Sequence, residues 1–140
     1  MSSDSYPRAG GCQCGSVRYE IRSPPIKVYV CHCSECRKQS ASAFGISVMA
    51  SSAAFSLTRG TPKRWSRPTD SGGTLDCYFC PDCGSRVFST NLESFPGAVF
   101  ATLGCIDNPA GIEPILEMFV KRRLTWVAPL PLPQLQDMPH

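Results

Sequence analysis

At 140 residues the chain is long enough for one domain with a modest core, and 42% of its residues are hydrophobic. Fourteen Lys and Arg against 11 Asp and Glu give a net charge of +3, which is too small to indicate binding to nucleic acid. No apolar run approaches the length that spans a bilayer, so we expect no membrane segment. Thirteen prolines and eleven glycines favour short strands and turns over long helices.

The elements predicted along the chain are mostly short strands. Alternating apolar and polar residues predict a half-buried strand at 16–21, and the apolar segment 27–30 predicts a second one. Residues 34–39 contain no β-branched side chain and predict one helical turn. Further strands are expected, in chain order, at 44–49, 54–57, 63–66, 75–79, 86–88, 98–103, 115–120 and 124–127. Loops are expected at 68–73 and 91–97.

These elements predict a mainly β fold. We expect a single domain over 1–140, with a core of about 8–128 and a Pro-rich tail, 129–140, that lies over the surface. The segments 75–79 and 86–88 flank a cysteine pair, which indicates a hairpin with a metal at its tip.

Seven of the nine cysteines form three clusters: Cys12 with Cys14, then Cys31, Cys33 and Cys36, then Cys80 with Cys83. The first ten residues contain no apolar stretch of the kind found in secretory signals, which favours a cytoplasmic, reducing location. In that environment, clustered cysteines are more often zinc ligands than disulfides, and an odd number cannot pair completely within one chain.

The number of ligands predicts which clusters combine. Two pairs together supply the four thiolates of a closed, structural zinc site, whereas three thiolates leave one position open for chemistry. We therefore expect two zinc ions, one joining the first and third clusters and one held by the second. Pro81 begins a tight turn, and Gly84 tolerates the positive φ that lets backbone N–H groups point at sulfur, as in a zinc knuckle.

Two cysteines are expected to lie outside the metal sites. Cys77, Cys80 and Cys83 also have a spacing found in iron–sulfur proteins, so the choice of ligands is ambiguous from spacing alone. Strand alternation, however, puts Cys77 on the opposite face from Cys80 and favours leaving it out. Cys105 is isolated in the sequence and is expected to be a small packed side chain.

The open site has a predictable chemistry. Three thiolates with a divalent zinc ion carry a net charge of −1, which suits holding a substrate thiolate better than generating hydroxide. His32 is adjacent to two ligands, so we expect its ring to pack or donate a hydrogen bond behind the metal rather than bind it. Glu35 is expected to be solvated. A small thiol is therefore the expected substrate.

The cysteine clusters and their neighbours resemble a known family. The chain contains Gly11-Cys12-x-Cys14-Gly15, Cys31-His32-Cys33-x-x-Cys36 and Phe79-Cys80-x-x-Cys83-Gly84, followed by Leu103-Gly104-x-x-Asp107, Trp126 and Leu132-Pro133-Gln134. This order, from Gly11 to Pro139, resembles the glutathione-dependent formaldehyde-activating enzyme family, which also includes centromere protein V. The resemblance implies a β-tent fold of small antiparallel sheets joined by a structural zinc. It also implies structural ligands Cys12, Cys14, Cys80 and Cys83 and catalytic-zinc ligands Cys31, Cys33 and Cys36.

The resemblance further implies an activity. The named reaction adds glutathione to formaldehyde to give S-hydroxymethylglutathione, and it is classed as a carbon–sulfur lyase reaction. Two positions differ from the family's pattern. Gln39-Ser40-Ala41-Ser42 stands where Thr-Gly or Ser-Gly is frequent, which predicts a changed pocket floor, and Cys105 stands where a small hydroxyl residue is common.

Two functional questions stay open at this stage. The carboxylates of glutathione need cationic partners, and the candidates are also expected to be ordinary solvated surface charges: Arg18, Arg37, Lys38 and Arg59. The alternative to an enzyme is a non-catalytic zinc β module that binds a protein partner. A basic tail would favour that alternative, and the chain has none.

Overall fold

The computed structural model describes residues 5–138, and strands form most of its regular structure. The strands are β1 (Arg8–Gly11), β2 (Arg18–Ile21), β3 (Lys27–Cys31), β4 (Gly45–Ser51), β5 (Phe55–Arg59), β6 (Lys63–Pro68), β7 (Thr74–Phe79), β8 (Arg86–Thr90), β9 (Ala98–Thr102) and β10 (Leu116–Met118). The α-helix α1 is Ser34–Ser40, and short 3₁₀ helices are Ser52–Ala54, Leu103–Cys105 and Val120–Arg122. The outermost residues of the expected domain, 1–4 and 139–140, lie outside the described range.

The strands form two sheets. A three-stranded sheet has the order β1-β2-β5, and a seven-stranded sheet has the order β10-β3-β4-β9-β8-β7-β6. The expected mainly β fold of small sheets is confirmed. One pair departs from the antiparallel arrangement, because β10 runs parallel to β3. The chain leaves β9 and crosses back over 103–115 to reach the free edge of β3, the kind of long connection that a parallel pair requires.

The main core lies between the two sheets. Tyr19 and Ile21 of the small sheet pack against Val48 and Ala50 of the large one. Alternation along β4 sends Met49, which lies between Val48 and Ala50, to the opposite face, where it joins a second apolar cluster. The large sheet therefore has one face in the core and a second face available for a cavity.

Most of the predicted strands are confirmed within one or two residues at each end, and 34–39 is the expected helical turn. The strand predicted at 124–127 is wrong: the Val127 N–H bonds to the Leu124 carbonyl in a turn. Its apolar pattern does not reflect burial, since Trp126 is 75% exposed.

The strand β1 was not predicted, because Arg-Ala-Gly-Gly has little strand propensity. Close packing explains Gly11, where a Cβ would lie 2.1 Å from the Val17 carbonyl oxygen.

The Pro-rich tail lies along the edge of the large sheet. The Glu117 N–H donates to the Pro133 carbonyl at 3.0 Å, and the Leu135 N–H donates to the Glu117 carbonyl at 2.8 Å. These bonds satisfy backbone groups that β10 would otherwise leave unpaired as an edge strand. The tail therefore extends the sheet by one short parallel bridge, between Glu117 and Gln134.

The helix α1 ends in an unfavourable residue. Ala41 follows the helix with φ 54 and ψ 37, in the left-handed region that glycine usually occupies at this position. The Ala41 and Ser42 N–H groups bond back to Lys38 and Arg37, so this conformation closes the helix. Ala41 is therefore a helix cap, while Gln39 of the same stretch lines the cavity described below.

Replacing Ala41 by glycine should stabilise the fold. We expect Ala41→Gly to raise the free energy of unfolding by about 1 kcal/mol, because it removes the strain of a Cβ in the left-handed region. Exposed Ala53, in a 3₁₀ helix with ordinary backbone angles, gives the matched control: Ala53→Gly should lower stability. Urea unfolding of both variants measures this, and equal destabilisation would contradict the strain at Ala41.

Candidate functional site

Four cysteine sulfurs converge where the two sheets meet. Cys12 and Cys14 follow β1 of the small sheet, and Cys80 and Cys83 lie between β7 and β8 of the large one. All four Sγ atoms lie within 4.8 Å of one another, with Cys12–Cys14 at 3.6 Å and Cys14–Cys80 at 3.7 Å. Tetrahedral zinc with bonds of 2.3 Å separates its sulfurs by about 3.8 Å, so this donor set fits zinc.

Backbone amides point at these sulfurs. The Val17 N–H donates to Cys12 Sγ at 3.2 Å, and the Asp82 and Cys83 N–H groups donate to Cys80 Sγ at 3.4 and 3.5 Å. Gly84 has the expected positive φ of 82 and returns its own N–H to the Cys80 carbonyl. Such donors stabilise the negative charge that four thiolates bring to a divalent ion.

Two serine hydroxyls beside this cluster were missed by sequence reasoning. Ser16 Oγ lies 3.1 Å from Cys80 Sγ and 3.2 Å from Cys14 Sγ. Ser85 Oγ lies 3.3 Å from Cys83 Sγ and lowers the pKa of that thiol to about 5. A signal was present, because Cys-Gly-Ser occurs twice, at 14–16 and 83–85, with each Ser two residues after a cysteine.

The second cluster lies at the junction of β3 and α1. Cys31 ends β3, Cys33 is the N-cap of α1 and Cys36 is in its first turn. The three Sγ atoms lie within 4.8 Å of one another, and the Cys33 sulfur accepts the Cys36 N–H at 3.3 Å. Hydrogen bonds from Cys31 and Cys36 strongly lower the pKa of Cys33, whereas the hydrogen bond to Cys33 raises the pKa of Cys31 to about 12. The Cys36 N–H and the neighbouring thiols therefore favour the thiolate form of Cys33.

His32 lies behind this cluster rather than in it. Its side chain is fully buried, and Nε2 is 2.8 Å from Oε1 of Glu117. Oε2 of the same carboxylate accepts the Leu130 N–H at 2.9 Å, Gln134 Nε2 at 2.7 Å and Arg123 Nη2 at 3.1 Å. Burial opposes ionisation of Glu117, but these donors outweigh it and lower the pKa. One buried carboxylate thus joins the cysteine loop to the tail.

A cavity of about 560 Å³ adjoins the three cysteines. Cys31, Cys33 and Cys36 lie along its wall, and Tyr29, Met49 and other side chains from the second face of the large sheet form its floor. The four-cysteine cluster does not line it. The arrangement separates a sulfur cluster that lies away from the cavity, with Cys12 and Cys80 buried and Cys14 and Cys83 exposed, from one that borders a space large enough for a small-molecule ligand.

The cations at this cavity are not the ones that the sequence suggested. Arg18, Arg37, Lys38 and Arg59 do not line it, and Arg18 pairs instead with Asp107. The cations that do line it are Lys27, Arg67, Lys121 and Arg122. They come from β3, β6 and the segment after β10, so only the folded sheet order brings them to one cavity.

The remaining sequence predictions concern residues outside the clusters. Cys77 is fully buried, and its thiol points at the Leu75 carbonyl at 3.7 Å. Cys105 is half-buried, and burial raises its pKa to about 11. Neither belongs to the two sulfur clusters found in residues 5–138. Glu35 is exposed, 3.9 Å from Arg67 across the cavity rim.

Comparison with known proteins identifies the family to which this chain belongs. The family model described as glutathione-dependent formaldehyde-activating enzyme matches residues 7–122. A Penicillium rubens protein that bears the same family name is 32% identical over 119 residues, covering 80% of this chain. The chain therefore belongs to the glutathione-dependent formaldehyde-activating enzyme family. It spans 61% of the length of the Penicillium protein.

A solved structure supports the fold. The crystal structure of a Rhodobacter sphaeroides protein, 20% identical in sequence, superposes with a TM-score of 0.61. The match covers 79% of this chain and 99% of the bacterial one. Within residues 5–138, no helix combines the length and apolarity that crossing a bilayer requires.

Removing the Glu117 carboxylate should be strongly destabilising. Glu117→Ala leaves His32, Arg123 and Gln134 without their buried acceptor, so we expect a loss of about 3 kcal/mol or more in the free energy of unfolding. Exposed Glu113→Ala is the matched control and should change stability by less than about 0.5 kcal/mol. Urea unfolding with zinc present measures both, and similar small effects would refute this role of Glu117.

Proposed function

We propose that the chain is a zinc-dependent carbon–sulfur lyase-like enzyme that acts on adducts of glutathione with formaldehyde. The observation that carries the proposal is the placement of Cys31, Cys33 and Cys36 on the wall of a cavity with cations around it. Membership of the family supports glutathione and formaldehyde as the reactants. The proposal includes zinc at both clusters, with Cys12, Cys14, Cys80 and Cys83 as structural ligands.

The donor chemistry fits zinc at the open cluster. Three sulfurs come from one short segment, and the Cys36 N–H donates to Cys33 Sγ, which favours the thiolate form that metal binding requires. When bound, zinc would supply a position that keeps a substrate thiol deprotonated. We propose that His32 and Glu117 orient this segment from behind, through the buried hydrogen bond that joins them.

Arg67 is the proposed anchor for a glutathione carboxylate. Its side chain is 19% exposed and lines the cavity, and its closest ion pair, with Glu35, is 3.9 Å long. The guanidinium bears five N–H donors, so it has the capacity to bind a carboxylate in bidentate fashion. Lys27 lies on another side of the cavity, with its ammonium 5.6 Å from the centre of the Phe95 ring, and would serve a second anionic group.

The reaction requires mainly that the thiolate and the aldehyde be held in the correct relative position. The thiolate sulfur forms a bond to the carbonyl carbon, the C=O electron pair moves to oxygen, and that oxygen takes up a proton. The cations that line the cavity would hold the carboxylates of glutathione, while the cysteine segment holds its sulfur. A bimolecular encounter then becomes a reaction between groups that are already oriented. The reverse step breaks the same C–S bond.

Exchange spectroscopy tests the proposal. NMR with ¹³C-formaldehyde and glutathione measures the exchange rate between free aldehyde and adduct, with and without the zinc-loaded chain. We expect acceleration of about tenfold or more, which requires only about 1.4 kcal/mol of barrier lowering. Metal-stripped protein and Cys36→Ser should lose it. No acceleration by the loaded chain would refute this function and favour the binding-module alternative.

A variant pair in the same assay tests the carboxylate anchor. Arg67→Ala should raise the glutathione concentration needed for half-maximal acceleration, while leaving cysteamine, a thiol without a carboxylate, unaffected. Exposed Arg59, which lies outside the cavity, provides the control substitution Arg59→Ala. Equal effects of the two variants, or equal effects on both thiols, would remove Arg67 from the substrate contacts.

A further inference from the structure

The cavity floor is mainly apolar, and the side chains that form its apolar part are buried. Met49 and Phe100 are directly opposite each other on the neighbouring strands β4 and β9, and Tyr29 of β3 meets the Phe100 ring edge-on at 6.5 Å between centroids. Met118 of β10 belongs to the same cluster. Strand alternation puts these side chains on the face of the sheet that bears Cys31, so the floor begins beside the sulfur cluster.

One wall of the cavity is also apolar. Leu92 and Phe95 come from the loop after β8, and the Phe95 ring meets Phe100 edge-on at 6.4 Å. Glu93 in this loop accepts a hydrogen bond from Ser71 at 3.0 Å, which joins it to the loop between β6 and β7. The apolar surface therefore extends from the floor to the cationic rim, which is formed by the lining residues Lys27, Arg67, Lys121 and Arg122.

Formaldehyde leaves this surface unused. A one-carbon aldehyde next to Cys33 could not fill a cavity of about 560 Å³, nor cover the half-buried Leu92, Phe95 and Phe119 that line it together with the buried Met49 and Phe100. Glutathione bears carboxylates, an ammonium and amides, which would bind to the charged residues of the rim rather than to the apolar floor. Two serines are polar exceptions on this face. Ser47 lies opposite Tyr29 on β4, and Ser89 lies on β8, three strands from Cys31 and about 14 Å away at ordinary strand spacing.

We infer that this floor is a subsite for the apolar substituent of an aldehyde larger than formaldehyde, so that the favoured adducts are those of alkyl or aryl aldehydes. The inference rests on the proposed function for its chemistry, because the same C–S bond forms and no oxidant or reductant enters. The thiol end stays at Cys31, Cys33 and Cys36, while the aldehyde side chain lies over Met49 and Phe100 and against the Leu92 and Phe95 wall. Each methylene that reaches the floor should tighten binding about fourfold.

Stable adduct analogues test the subsite separately from catalysis. Calorimetric titration of the zinc-loaded chain with S-methyl-, S-propyl- and S-hexylglutathione should give affinities that increase with alkyl length. Met49→Gln keeps the side-chain volume but makes the floor polar, so the advantage of hexyl over methyl should fall by about tenfold. Val48→Thr makes a comparable change on the opposite, core face of β4 and should keep the advantage.

A loop variant protects the test against misfolding. Leu92→Gln changes the apolar wall in a loop, where the fold tolerates substitution better than in β4, and it should also reduce the dependence on alkyl length. Equal affinities across the wild-type series, or an unchanged alkyl advantage in both glutamine variants, would overturn the subsite. A strong length dependence without any acceleration of adduct exchange would uphold the subsite and refute the proposed function.

Discussion

The convergence of four cysteine sulfurs at the junction of two sheets is the constraint on which the rest of the structure depends. Cys12 and Cys80 are 68 positions apart in sequence, yet their sulfurs belong to one group within 4.8 Å. Closing so long a loop costs chain entropy, which contacts formed on folding must offset. Zinc at this point would add its binding free energy to folding, since the unfolded chain offers no preformed site. Hydroxyl and amide donors around the sulfurs, notably Ser16, fit that role.

Because the small sheet covers one face of the large sheet, the other face is left to form the cavity. Alternation along β4 and β9 directs Val48 and Ala101 to the core and leaves Met49 and Phe100 on the second face. That face is covered only in part, by loops and by the segment after β10, so a cavity lies over it. Cys31 ends a strand on the same face, and the short helix α1 that follows positions Cys36. The proposed division between a structural and a reactive sulfur cluster thus follows from the two faces of one sheet.

The sequence pattern predicted those features that depend only on residues close together in the chain. The ligand spacings, the helical turn at 34–39 and the positive φ of Gly84 all follow from a few neighbouring residues. Tertiary contacts determine the rest. β1 exists because β2 pairs with it, Arg67 reaches the cavity through strand order, and the acceptor for His32, Glu117, is 85 residues away in sequence. The strand predicted at 124–127 is wrong because an apolar sequence alone does not indicate whether other elements bury it, and Trp126 is exposed.

The central claim is that one cysteine cluster holds the fold and the other is free to act on a substrate. The unfolding free energies and zinc contents of Cys80→Ser and Cys33→Ser test it most directly. Each variant should lose one of about two zinc ions per chain. We expect Cys80→Ser to cost about 3 kcal/mol or more. Cys33→Ser should cost clearly less, because Cys31 and Cys36 bound one short segment, so that a metal there closes no long loop, and a serine hydroxyl can also accept the Cys36 N–H at the helix N-cap. Equal destabilisation by the two substitutions, or a single zinc ion in the unmodified chain, would contradict the account.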